Sequence, residues 1–271
     1  MSEERRQGAG GSRQNVCRLF SVLWLLSGCA TSYNVATDRQ ETLFINTDRE
    51  AQMGAAIAKR VEEEFHPVQD PELLSRLDRI SQRITEAADR KDILYRFSIV
   101  EEKEPNAFAL PGGFVYVTTG LLEMVRSDDE LAAVLGHEVG HVAARHTVKR
   151  IQGAVGLQLL QALAIGAGGA DPQTRQGMDL AFASILTAYS QADELEADRL
   201  STRYLKRAGY QPLAGIDFLT RLRDYTFKQS PRRFSYFRTH PYFADRIRVV
   251  RQEAEGHLTF DDYINIGHDR P

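Results

Sequence analysis

The sequence predicts a mainly α fold with a small β-sheet, an α+β domain, on three observations. Apolar residues recur at three- and four-residue intervals over most of the chain between 49 and 254, as helices with one buried face require. Two stretches, 95–100 and 107–118, interrupt that rhythm with aromatic and β-branched residues, as strands do. The 271 residues, 42% hydrophobic and 26% charged, contain no apolar run of the roughly 20 residues needed to cross a bilayer. This composition excludes a chain that is mainly disordered and a multi-span membrane protein. With 34 Lys+Arg against 37 Asp+Glu there is no basic excess, so nucleic acid is not an expected partner.

Residues 1–28 read as a lipoprotein signal peptide: the apolar run Leu19–Leu26 follows Arg13 and Arg18 and precedes Ser27 and Gly28. Leu26-Ser27-Gly28-Cys29 resembles a lipobox, in which Cys29 becomes the lipid-bearing first residue and a membrane anchor. Ala30 and Thr31 follow where an Asp would signal retention, which by resemblance to known lipoproteins favours the outer membrane. The expected location is the bacterial cell envelope, at the periplasmic face of that membrane. Cys17 and Cys29 are the only cysteines, one discarded and one acylated on this reading, so stability has to come from core burial.

Residues 29–47 read as a tether, polar and without apolar periodicity from Ser32 onward. The folded domain is expected over 48–256 and a tail over 257–271. Helices are predicted from Arg49 to Phe65 and from Pro71 to Arg90, the second with Leu73, Leu74, Leu77, Ile80 and Ile84 at helical spacing. Strands follow at Tyr95–Val100 and Ala107–Thr118, the latter broken by Pro111-Gly112-Gly113. A helix starts at Asp128 behind the N-cap Ser127 and runs to about Ile151. Gly153–Ala170 is apolar but interrupted by Gln158, Gln161 and glycines, which suits a core helix or a lid better than a membrane span. A long helix is predicted from Thr174 to Ala208, then helices from Leu213 to Phe227 and from Pro241 to Ala254.

His137-Glu138-Val139-Gly140-His141 is an H-E-x-x-H sequence inside the Asp128 helix. Residues four apart share a helix face, so both imidazoles reach one ion while Glu138 faces the water beside it. A catalytic zinc needs a third protein ligand and one open position. Glu194-Leu195-Glu196-Ala197-Asp198 supplies Glu194 as that ligand, with Asp198 one turn on to accept a hydrogen bond from the outer nitrogen of a ligand histidine. Glu196, about 160° around the helix, reads as solvent-facing. One Zn2+ per chain is expected, with Glu138 as the general base and acid.

With these motifs the chain resembles the gluzincin metallopeptidases that include HtpX and the CAAX prenyl endopeptidases, and within them the periplasmic BepA-like branch. HEVGH and ELEAD carry the resemblance together with Asn106–Gly113 before them and His240-Pro241 and Arg246-Ile247 after them. It implies a zincin-type metallopeptidase domain with an edge strand along the zinc cleft, acting on misfolded or unassembled envelope proteins. The lack of transmembrane helices puts a prenylated substrate in doubt. Asn106, Ala107, Phe108 and Ala109 would pair with an extended polypeptide by strand addition, or form a merely buried strand. Arg246 would stabilise the oxyanion or orient the site, or be a surface cation. His240 would fill the open zinc position and silence the enzyme, or be structural. His66, His146, His257 and His268 are assigned no metal; His146 would lie about 140° off the ligand face. Outer-membrane assembly machinery is a candidate partner. The competing classes are a chaperone-like binding protein with structural zinc and a peptidoglycan amidase.

Overall fold

A computed structural model describes residues 30–154, 172–228 and 235–256. Strands β1 (Ala30–Asn34) and β2 (Arg39–Leu43) precede helices α1 (Thr47–Glu64) and α2 (Pro71–Ala87). Strands β3 (Arg96–Val100), β4 (Ala107–Ala109) and β5 (Phe114–Thr118) lead to α3 (Thr119–Met124), α4 (Asp128–Ala143) and α5 (146–154). Then come α6 (Pro172–Ile185), α7 (Gln191–Ala208), α8 (Ala214–Lys228), the single turn α9 (Tyr236–Thr239) and α10 (Phe243–Glu255). The fold is mostly helical with a small mixed sheet, as predicted. No helix among the described residues is long and apolar enough to cross a membrane. Cys29, most of 153–170 and the tail lie outside the described residues.

Helix α4 sits at the centre, packed against β4, α2, α7 and α8, and every residue from Glu130 to Ala143 is buried. Its start follows the sequence signal: Ser127 Oγ accepts from the Glu130 amide at 3.2 Å. The sheet runs β3-β5-β4, with β5 parallel to β3 and antiparallel to β4, which leaves β4 at the edge. Between β4 and β5, Gly112 (φ 78°) and Gly113 (φ 84°) take the left-handed conformations that glycine permits. A buried ion pair clamps this turn. Arg90 donates to both Glu50 oxygens (3.0 and 2.6 Å) and to Val142 O (3.0 Å), and Glu50 accepts from the Gly112 amide at 3.2 Å. One charge pair thus fastens α1, the turn and the end of α4.

Three expectations are corrected. The stretch expected to be a tether is paired from Ala30 to Leu43 as a hairpin packed on the domain. Asn34 donates to Glu41 Oε1 (3.1 Å) and to Ala143 O (3.0 Å), and Lys149 reaches the same Glu41 oxygen at 2.6 Å. Asn34 and Glu41 are buried because they bond each other, the end of α4 and the half-exposed Lys149, which a hydropathy pattern cannot register. The helix predicted from Asp128 to Ile151 ends at Ala143, and Arg145 takes φ 57° before α5 leaves in a new direction. No glycine or proline marks that break; Arg145 is held there by Ser32 Oγ (3.0 Å) and by Asp92 (3.6 Å). The predicted Thr174–Ala208 helix is two, α6 and α7. The second opens on a capping box in which Ser190 and Asp193 bond each other's backbone amides.

Gly54 on α1 faces Pro111: a β-carbon there would lie 1.9 Å from Pro111 O. Gly54→Ala should therefore lower the stability of the fold by about 1–3 kcal/mol. Chemical denaturation checks this, and an unchanged midpoint would show that α1 does not press on the turn.

Candidate metal centre

The centre is built where α4 and α7 approach most closely. Glycines on α4 set that distance, because a β-carbon on Gly140 would lie 2.9 Å from Ala197 O and one on Gly136 would lie 2.7 Å from Ser201 Oγ. Across this contact His137 and His141 of α4 meet Glu194 and Asp198 of α7. The segment after α9 adds His240, and all five side chains are buried.

His137, His141, Glu194 and His240 offer donor atoms within 4.8 Å of one another. His141 Nε2 is 3.0 Å from His137 Nε2 and 3.3 Å from Glu194 Oε1. His240 Nδ1 is 2.9 Å from Glu194 Oε1 and 3.3 Å from His137 Nε2. Donors at about 2.0–2.1 Å from a tetrahedral zinc stand roughly 3.3 Å apart, so these four separations, from 2.9 to 3.3 Å, match edges of that tetrahedron. Formal charge agrees. Buried Glu138, Glu194 and Asp198 face one buried guanidinium, that of Arg246, which leaves a surplus that a divalent cation balances. Neither oxygen of Glu138 has a hydrogen-bond partner among the described residues, and His240 Nε2 lies 3.5 Å from its Oε1.

Behind the donors, His137 Nδ1 lies 2.8 Å from Asp198 Oδ1, which turns Nε2 into the centre. Arg246 donates to Asp198 Oδ2 from Nε (2.8 Å) and to Oδ1 from Nη2 (2.9 Å), and its Nη1 is 3.1 Å from Glu194 Oε2. Arg246 is therefore no surface cation; its donors are committed to the two carboxylates that set the cluster. Burial opposes charge on His137, and so does nearby Arg246, but Asp198 and Glu194 outweigh both and hold its pKa up to about 9. Burial also disfavours the charged form of Glu194, yet His240, Arg246 and His137 hold its carboxyl well below the usual range.

Some neighbours escaped the sequence reading. His146, assigned a bland role, is buried with Nδ1 2.9 Å from His141 Nδ1, because the chain turns at Arg145 instead of continuing the helix. Glu196, read as solvent-facing, is drawn to His146 Nε2 at 3.2 Å. The rings of Tyr189 and Tyr236 flank His240 at 5.3 and 4.4 Å, and Tyr189 also stacks on His141 at 3.8 Å. No local pattern flags these tyrosines. His66 lies outside the cluster, and His257 and His268 fall outside the described residues.

Asn106–Ala109 lies where an edge strand was expected, but buried. Thr118 donates its amide to Asn106 O (3.0 Å) and Leu110 its amide to Phe114 O (2.8 Å), so the backbones of Ala107 and Ala109 face outward by alternation. That outer edge is covered: Thr147 Oγ1 donates to Ala109 O at 3.2 Å, and Tyr236 donates its amide to Pro105 O at 3.1 Å.

The family model of Peptidase family M48 matches residues 71–254, most of the chain. The chain belongs to that family. Its matched part holds the sheet, α4, α7 and all four cluster residues, while the hairpin and α1 precede it. Among relatives, the mitochondrial metalloendopeptidase OMA1 of Schizosaccharomyces pombe is 29% identical over 81% of this chain and 65% of its own length. The beta-barrel assembly-enhancing protease of Escherichia coli is 29% identical over 82% of this chain and 46% of its own length. Metalloprotease LoiP of Escherichia coli is 34% identical over 57% of this chain and 61% of its own. The chain thus spans less than two thirds of these curated relatives.

The glycine contact generates a prediction within this M48 domain. Gly140→Ala should push α7 away from α4 and weaken metal binding by about tenfold or more, as a shift in the support of the ligands does. Titration against a chelating indicator measures it; wild-type affinity in a folded variant would refute the spacing argument.

Proposed function

We propose that the chain is a zinc-dependent endopeptidase, holding one zinc ion, that hydrolyses peptide bonds of misfolded or unassembled cell-envelope proteins. The observation that carries the peptidase reading is Glu138: a buried carboxylate with neither oxygen hydrogen-bonded among the described residues, beside a His-His-Glu-His cluster whose donor atoms lie within 4.8 Å of one another. The substrate class and the periplasmic branch draw support from the relative named for beta-barrel assembly and from the lipobox at Cys29, which would anchor the domain at the outer membrane. Outer-membrane assembly machinery is the partner that this reading favours.

Bound at the cluster, zinc would act as a Lewis acid that acidifies water and polarises the scissile carbonyl. His137, His141 and Glu194 would hold the ion throughout. Glu138 accepts a proton from the attacking water at its carboxylate and returns it to the leaving amine. Asp198 fixes the His137 tautomer, and Arg246 orients the site by holding Asp198 and Glu194 rather than by facing the oxyanion. His240 would be a fourth residue to hold the ion at rest, and it stands next to the base, so it would have to give way to substrate. Asn106, Ala107, Phe108 and Ala109 receive substrate as an added strand once Thr147 and the Tyr236 turn uncover them.

The placement of His240 among the cluster donors also favours a second reading, a zinc-containing binding protein of the outer membrane with little or no proteolysis. Cleavage of an unfolded envelope protein by the zinc-loaded protein decides between them. Glu138→Gln should keep its zinc and lose about 10²- to 10⁴-fold in cleavage rate. Glu194→Ala should lose metal and cleavage together. Full zinc content without any wild-type cleavage would favour the binding protein, and a Glu138→Gln variant as fast as wild type would refute the mechanism.

The anchor has its own test. Cys29→Ser should abolish incorporation of a labelled fatty acid in cells, and equal labelling of variant and wild type would remove the lipobox reading.

A further inference from the structure

His141 is supported differently from its partner His137. On a continuous helix His146 would point about 140° away from His141. The break at Ala144 and Arg145 (φ 57°) instead starts α5 in a new direction and folds His146 back, with the two Nδ1 atoms 2.9 Å apart. Two nitrogens at that distance hold one proton between them. His141 Nε2 is among the cluster donors, 3.0 Å from His137 Nε2 and 3.3 Å from Glu194, and needs its lone pair to hold a cation. The proton of the neutral ring then sits on His141 Nδ1 and is donated to the lone pair of His146 Nδ1. That leaves the His146 proton on Nε2, which faces Glu196 Oε2 at 3.2 Å and Asp193 Oδ1 at 3.4 Å. Glu196 is steadied in turn by Arg39 of β2 at 3.3 Å. Every proton in this chain has an acceptor, and each acceptor is fixed by the next residue outward.

We propose that His146 is a positioning residue of the metal centre, orienting His141 through a Glu196–His146–His141 relay that does for this imidazole what Asp198 does directly for His137. The proposal rests on reading the cluster as a zinc site, and it extends the support of that site to the hairpin. Where Asp198 reaches His137 Nδ1 directly, His146 spans from His141 Nδ1 to the α7 carboxylates of Glu196 and Asp193.

Zinc affinity of the full chain, measured by competition with a chelating indicator, tests the relay together with the visible absorption of the cobalt-substituted protein. His146→Ala should bind zinc about 10- to 100-fold more weakly, comparable to Asp198→Ala, with an altered cobalt spectrum. His146→Asn keeps an acceptor oxygen near the Nδ1 position and should recover most of that loss, which a role in packing alone would not produce. Glu196→Gln, at a partly exposed site, should weaken zinc severalfold and serves where His146→Ala does not fold. Wild-type affinity in a folded His146→Ala, an Asn variant as weak as the Ala variant, or an unchanged Glu196→Gln would each overturn the relay. A wild-type protein that binds no zinc would instead overturn the metal reading beneath it.

Discussion

The close contact of α4 with α7 is the constraint on which the rest depends. Two helices normally stand 8–10 Å apart, and side chains at their contact set the distance. Here Gly136 and Gly140 remove those side chains, so that α7 seats against α4 with Ala197 over Gly140. Only then do the short reaches of His137, His141 and Glu194 converge within about one tetrahedron edge of each other. The N-cap at Ser127, the capping box at Ser190 and the clamp of Arg90 on Glu50 and Val142 O all act on the ends of elements that meet at this contact.

Convergence has an electrostatic cost. Buried carboxylates are unfavourable unless paired, and Glu194 and Asp198 are paired from behind by Arg246, itself buried. One guanidinium therefore does two things: it holds both carboxylates in place, and it leaves Glu194 Oε1 directed at His141 and His240 while sharing Asp198 Oδ1 with His137. A lysine, with a single point charge, could not bridge the two in this way. The negative surplus left around the cluster is the electrostatic condition for a divalent cation.

In this arrangement the site is closed. His240 stands between Tyr189 and Tyr236 with one nitrogen in the cluster and the other next to Glu138, while the outer edge of β4 is covered by residues of α5 and of the turn that carries Tyr236. Segment 235–240 takes part in both occlusions, through His240 at the cluster and the Tyr236 amide on Pro105 O, while Thr147 of α5 covers Ala109 O.

Much of this was legible in the sequence because the chemistry is local to helices. The HEVGH spacing places two imidazoles on one face whatever else the chain does, ELEAD places Glu194 and Asp198 one turn apart, and Ser127 marks where α4 begins. The two-layer logic of ligand and supporting carboxylate follows from those spacings. Tertiary structure alone decided what lies between elements. Arg145 leaves the helix without a glycine or proline because Ser32 and Asp92 hold it, and that single turn brings His146 to His141 and Glu196 to His146. The hairpin at 30–43 is hard to see in hydropathy because two of its buried side chains, Asn34 and Glu41, are polar and are held by residues some hundred positions away in the chain. Periodicity reports which face of an element is apolar. Which polar groups find each other across elements is fixed only when the helices dock.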